Sequence, residues 1–393
     1  MTTLFGLDEW TLTNASWLFY FLAMMSYIGL LIAQATQLSH RRVIAREEVD
    51  FGGIQPVFAG AAAGMASVAL GAGRRAVTPA RTLEAADTAT LPMSGAARFF
   101  GRGGLVMTVA GVASLVLGLA LRSERIGHIP YMSLYEICLT LTVGFSLAYL
   151  LIAEAWLKTR SVGAFVLTFI CFLEAYALLL IPDTLKTAKP LVPALQSSWL
   201  PIHVSQAIIA YSCFAVAAGA AIMYLLKYHQ VGSWTRALPS LAVTDEFMFR
   251  AVAVGFPFQT LLLLTGAYWA QSAWSKAWSW DPKEVWALIT WLCYVAFLHV
   301  RVQRGWRGTT VAWMALAGFA VVMITFVGVN YLVAWFGLDS MHAYAGDMPA
   351  GALGFGIFGA ILALLLGSIV YGEARRRRAA AAGRARQAAR TQP

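Results

Sequence analysis

The chain has 393 residues, of which 59% are hydrophobic and only 12% are charged. A soluble domain averages about 25% charged residues, so this chain has too little polar surface to coat a globule, which excludes a soluble enzyme or binding module. The net charge of +10 does not mark a nucleic-acid binder, because the basic residues sit in loops between long apolar runs, as topology determinants do.

A spanning helix needs roughly 20 predominantly apolar residues. The hydropathy pattern predicts spans at about 16–37, 103–121, 134–157, 161–181, 201–226, 251–268, 285–302, 309–330 and 351–372. This is an all-α, polytopic transmembrane helical bundle of about nine spans. The first run has no basic region ahead of it and is followed by His40, Arg41 and Arg42, which predicts a retained helix over 1–37 rather than a cleaved signal. Residues 38–102 read as a cytoplasmic linker with an Ala- and Gly-rich middle, 103–372 as the main transmembrane domain, and 373–393 as a basic cytoplasmic tail beginning near Arg375. Of the 29 Lys and Arg, 23 fall on the side of the linker and the tail and 6 on the other. That excess predicts the N-terminus outside and the C-terminus inside the cell membrane.

Cys138, Cys171, Cys213 and Cys293 all lie within apolar runs, with no C-x-x-C pair. They read as small core residues, so any thiol chemistry belongs to a partner.

The most informative stretch is 268–301. It carries Trp269, Trp274, Trp278, Trp280, Trp286 and Trp291, six of the 14 tryptophans. Headgroup-level enrichment of Trp explains one or two per helix end. It does not explain Trp274, Trp278 and Trp280 in one outer loop, running directly into Asp281, Pro282, Lys283 and Glu284. Asp281 and Pro282 predict a helix start, with Glu284 completing a capping box. An indole platform beside a helix N-terminus suits a flat, apolar ligand with an anionic edge.

The pattern from Trp274 through Trp278, Trp280 and Asp281 to Glu284 resembles the tryptophan-rich "WWD" signature of c-type cytochrome biogenesis, with the loop at 268–285. The chain resembles the CcsA/ResC type (labelled CcsB in some bacteria) of the system II cytochrome c synthase. The resemblance also takes in Gly127, His128, Ile129 and Pro130 with Tyr135 and Glu136; Pro193 to Ser197 before His203; Leu298 to Arg301; and Met341 to Tyr344. It departs from the family at Ser275, where Gly is usual, at Ala277, where an aromatic is common, and at Met341, where Leu is usual.

Among the six histidines, His203 begins a span from its outer end and His342 lies in the outer loop before the last span. Both fall on the side of the tryptophan loop. A lone interfacial His would more often bond to backbone; two beside an indole platform favour haem iron. The resemblance makes His203 and His342 the axial ligands of an external haem. His299 lies inside an apolar run, which marks an intramembrane ionisable residue as functional by default. The resemblance assigns it to the iron of a second haem, opposite a His from a partner protein. His128 carries a structural reading at least equal to a haem role. His40 and His229 read as solvated residues of basic loops. Glu174, within a span, reads as neutral or hydrogen-bonded, and Glu136 as a backbone acceptor near the loop; neither is given a chemical role.

The resemblance implies that the chain binds haem b, delivers it across the membrane and presents it outside for covalent attachment to apocytochrome c. Trp269, Trp274, Trp278, Trp280 and Asp281 would cradle the haem. It would form the haem-presenting subunit of a cytochrome c synthase active with a ResB-type membrane partner, on apocytochrome c carrying C-x-x-C-H, supported by thiol-reducing proteins. The alternatives are a subunit that passes haem to a carrier chaperone and a non-haem transporter of an anionic amphiphile.

Overall fold

A computed structural model describes residues 7–52, 93–156, 160–187 and 195–329, with isolated positions beyond. The expected ninth span, the middle of the expected linker and His342 lie outside the described residues. No β-strand occurs among the described residues.

Asp8 opens α1 (Glu9–Gly52) by accepting the Thr11 amide at 2.8 Å. Ser94 caps α2 (Gly95–Ile126), which ends on the left-handed Gly127 at φ 75°. A Ser133–Glu136 capping box starts α3 (Leu134–Tyr149), and a π turn over Leu150–Trp156 continues it. A 3-10 turn at Arg160–Val162 leads into α4 (Gly163–Ala175), which passes into a π turn at Tyr176–Leu180. The short α5 (Asp183–Lys186) precedes α6 (Trp199–Tyr228) and α7 (Leu241–Trp274). Last come α8 (Pro282–Val302) and α9 (Thr309–Met323), the latter extended by a π turn at Ile324–Gly328.

By length and composition, eight helices among the described residues can each cross a membrane. The protein is a multi-pass helical bundle. The helices overrun the expected spans: the first apolar helix is Glu9–Ser39 and the second Gly95–Ile126. Polar and charged ends continue these helices because internal ion pairs satisfy them. Arg122, 2% exposed, pairs with Glu9 at 2.8 Å and Glu136 at 2.7 Å, tying α1, α2 and α3 at one end. Arg301 pairs with Asp245 at 2.7 Å, and Asp245 also accepts the Gly308 amide, joining α7, α8 and the start of α9 at the other.

Between lipid-immersed helices, close packing replaces hydrophobic drive. α2 packs on α1 through small residues: a Cβ on Gly104 or Gly111 would come within 2.8 or 2.9 Å of the Tyr27 or Tyr20 ring. Three cysteines, Cys138, Cys171 and Cys213, are buried free thiols. His229 departs from its solvated reading: it is 4% exposed at the end of α6, with its ring edge-on to Tyr228 at 4.9 Å. Gly372 packs against it, a Cβ there lying 3.4 Å from His229 Cβ, a contact that sequence charge alone does not reveal.

Candidate functional site

The ends of α1, α2, α3, α4, α6, α7 and α8 that gather at the Arg122 side include the tryptophan turn. Residues 275–281 join α7 to α8, so Trp269 and Trp274 belong to α7 and only Trp278 and Trp280 stand in the turn itself. Ser275 ends α7 in the left-handed region at φ 58°, and Trp280 also has a positive φ of 60°. Neither conformation suits a side chain with a Cβ.

The capping box forms as the sequence predicts. Asp281 Oδ1 accepts the Lys283 amide at 2.8 Å, and Glu284 Oε2 accepts the amides of Ser279 and Asp281 at 2.8 and 3.2 Å. These two carboxylates occupy donors at the start of α8. The cationic group beside the cavity is therefore the Lys283 ammonium, which the sequence reading passed over. Its signal was a basic residue in the first turn of an apolar helix.

Beneath the turn lies a mainly apolar cavity holding about 1030 Å³ of empty space, its open mouth included. His203 of α6, Trp269 of α7, Trp278, Lys283, and Thr325 and Phe326 of the last π turn contribute to its walls. π turns inside helices often mark functional sites, and this one turns Thr325 so that it also bonds Thr290 at 3.0 Å.

His203 is half-buried, and its Nδ1 lies 3.1 Å from the Leu262 carbonyl of α7. Donation from Nδ1 fixes the ring and leaves Nε2 as the basic nitrogen, the arrangement common for metal-binding histidines. Gly266 makes room for it, since a Cβ there would sit 2.7 Å from His203 Cε1. The imidazole lies 5.8 Å from the Trp269 ring, which in turn lies 5.4 Å from Trp274. Trp269 is 3% exposed, and its Nε1 has no hydrogen-bond partner among the described residues, an orphan donor in the cavity wall. Trp278 and Trp280 meet edge to face at 5.9 Å, with Trp280 75% exposed. The structure thus brings His203, Trp269, Trp274, Trp278 and Asp281 together around one cavity and its rim.

Residues 131–335 match the family described as Cytochrome C assembly protein. The chain belongs to this family. Among its relatives, the cytochrome c biogenesis protein CcsA of Chlamydomonas reinhardtii is 36% identical over 233 residues, 58% of this chain and 65% of that protein. The same-named protein of Guillardia theta is 36% identical over 57% of this chain and 81% of its own length, and that of Synechococcus sp. (strain CC9902) 37% over 59% and 85%. The match thus spans just under two thirds of the Chlamydomonas protein. A solved structure titled Cytochrome c Heme Lyase CcmF superposes with a TM-score of 0.48 at 16% identity, covering 94% of this chain and 53% of that one.

The family segment contains the whole cavity and excludes α1 and α2. It also contains His299, which lies far along α8 from the cavity. His299 is exposed, on the same outward face as Leu292 and Ala296. His128, at the α2–α3 turn, has its Nδ1 2.9 Å from the Ile129 carbonyl, in keeping with a structural role. Glu136 accepts the Met132 amide at 2.8 Å as expected, and its pairing with Arg122 was not legible in sequence.

Proposed function

We propose that the chain works in c-type cytochrome biogenesis, binding haem b beneath the tryptophan turn and presenting it for covalent attachment to apocytochrome c. One observation carries this reading: His203 is held by Leu262, cleared by Gly266 and flanked by Trp269 at the wall of a largely apolar cavity.

In this reading the carbonyl of Leu262 keeps the proton on Nδ1, so that His203 would hold the iron through Nε2, with His342 as the second ligand. Two imidazole ligands would tune the potential of the iron. Trp269, Trp274, Trp278 and Trp280 hold the ring by stacking, and Lys283 attracts the carboxylate edge. Each thiol of the apocytochrome C-x-x-C-H adds across a vinyl group, forming a C–S bond while the thiol hydrogen goes to the vinyl group. No electron is gained or lost. The protein's contribution is orientation, with His203 and His342 the residues that would hold the haem iron.

The basic-residue asymmetry supports placing the tryptophan end outside the cell membrane, with the C-terminus inside. The outward face of His299 supports a second iron site completed by a His of a ResB-type partner. Thiol-reducing proteins would keep the apocytochrome cysteines reduced.

The test is to express the full chain alone and with a ResB-type partner and to record oxidised and reduced absorption spectra. A bis-His haem spectrum that is lost in His203→Ala and in His342→Ala supports the reading. A wild-type protein without haem in both preparations overturns it.

A further inference from the structure

A seam of polar groups runs through the α1–α4 half of the bundle, away from the cavity. α1 contributes Glu9, Thr13, Ser16, Tyr20 and Tyr27, whose spacing keeps them on one helix face. From Glu9 to Tyr27 the helix rises about 27 Å at 1.5 Å per residue, close to the hydrocarbon thickness of roughly 30 Å. One end is the Glu9–Arg122–Glu136 cluster. At the other, Tyr27 and Tyr149 both donate to Glu154 at 3.1 and 3.0 Å, and Arg160 pairs with Glu154 at 3.0 Å. Between them, Tyr20 Oη lies 3.0 Å from Ser146 Oγ.

Between these ends, nearer the Glu9 cluster, sits Glu174 of α4, 0% exposed. The Ser16 hydroxyl is within hydrogen-bond distance of both the Thr13 carbonyl, at 2.7 Å, and Glu174 Oε1. A hydroxyl carries one proton. If Ser16 gives it to Thr13, the contact with Oε1 is satisfied only by a proton on the carboxyl. Glu174 Oε2 has no hydrogen-bond partner among the described residues, a position that strongly disfavours an ionised carboxylate. The titratable groups facing it are neutral ones: Tyr20 on α1, Tyr135 on α3 and Cys171 on α4. The Arg122 guanidinium is engaged by Glu9 and Glu136.

A crevice opens at the Glu9–Arg122 end of the seam. It holds about 850 Å³, its open mouth included, and its walls include Glu9, Arg122, Tyr135 and Lys186. Tyr135, in the crevice wall, is close enough to Glu174 for the two groups to act on each other electrostatically. We propose that Glu174 is a proton-binding site within the bilayer that exchanges its proton with water in this crevice, past the Tyr135 side chain in the crevice wall. The exchange moves one proton between carboxyl and water and transfers no electron.

Infrared spectroscopy of the full chain in lipid nanodiscs, moved from H₂O to D₂O, tests this. The wild type is expected to show the carbonyl stretch of a protonated carboxylic acid, lost in Glu174→Gln and shifting on transfer to D₂O. Tyr135→Phe should slow that shift about tenfold, the effect of roughly 1.4 kcal/mol in barrier. Absence of the band, or a Glu174 band that does not shift in D₂O, overturns the site; exchange at the wild-type rate in Tyr135→Phe overturns the route. Should Glu174→Gln fail to fold, Glu174→Asp must move the band, and an unmoved band overturns the assignment.

Discussion

Ser340 Oγ donates a hydrogen bond to Asp281 Oδ1 across 3.1 Å, and the same oxygen accepts the Lys283 amide at 2.8 Å. One carboxylate thus caps α8 and holds the residue two positions before His342 against the tryptophan turn. Ser340→Ala removes this tie, at a cost of about 1 kcal/mol. Asp281→Ala removes the tie and the cap, worth about another 1 kcal/mol. Since both changes delete the same bond, the losses in the double variant should be less than additive. Thermal unfolding of the haem-free chain measures this, and strictly additive losses would contradict the shared bond.

Gly266→Ala introduces a methyl group 2.7 Å from His203 Cε1. The imidazole must move off the Leu262 carbonyl, so haem occupancy should fall at least about tenfold, or 1.4 kcal/mol. Far-ultraviolet circular dichroism should change little, because Ala is a better helix former than Gly. Wild-type haem absorption in this variant would remove His203 from the site.

Ser275 holds a left-handed conformation at φ 58°, which costs a residue with a Cβ roughly 1–2 kcal/mol. Ser275→Gly should raise the unfolding temperature, with a gain of about 1 kcal/mol after Gly's larger loss of chain entropy. Haem binding should be retained.

Arg122 is buried between Glu9 and Glu136. Arg122→Ala leaves uncompensated carboxylates and should cost about 3–5 kcal/mol. Arg122→Lys should recover only part of this, since one ammonium cannot reproduce the donors that reach Glu9, Glu136 and the Lys186 carbonyl. Denaturation of both variants in detergent checks the order.

His299 faces outward from α8. In the lone chain, His299→Ala should change stability by no more than about 0.5 kcal/mol. Co-expression with the ResB-type partner should expose a haem deficit in the variant. An equal spectrum with and without the partner would count against a shared site.

The amino-acid sequence by itself determined the helical, membrane-spanning class, because the length of an apolar run and its missing charges are local properties of the chain. The Asp281–Glu284 capping box was legible for the same reason: its bonds close within one helical turn. Helix ends were less legible, because α1 and α2 continue through polar residues that Arg122 and its two carboxylates make tolerable from different helices. His229 read as solvated and is buried, since part of its cover comes from Gly372, far along the chain. Only the tertiary structure decided the site. His203 takes its orientation from Leu262, 59 residues away, its room comes from a missing methyl on Gly266, and Ser16 reaches Glu174 across 158 residues. Hydrogen bonds act over about 3 Å, so partners this distant in sequence meet only when the helices pack.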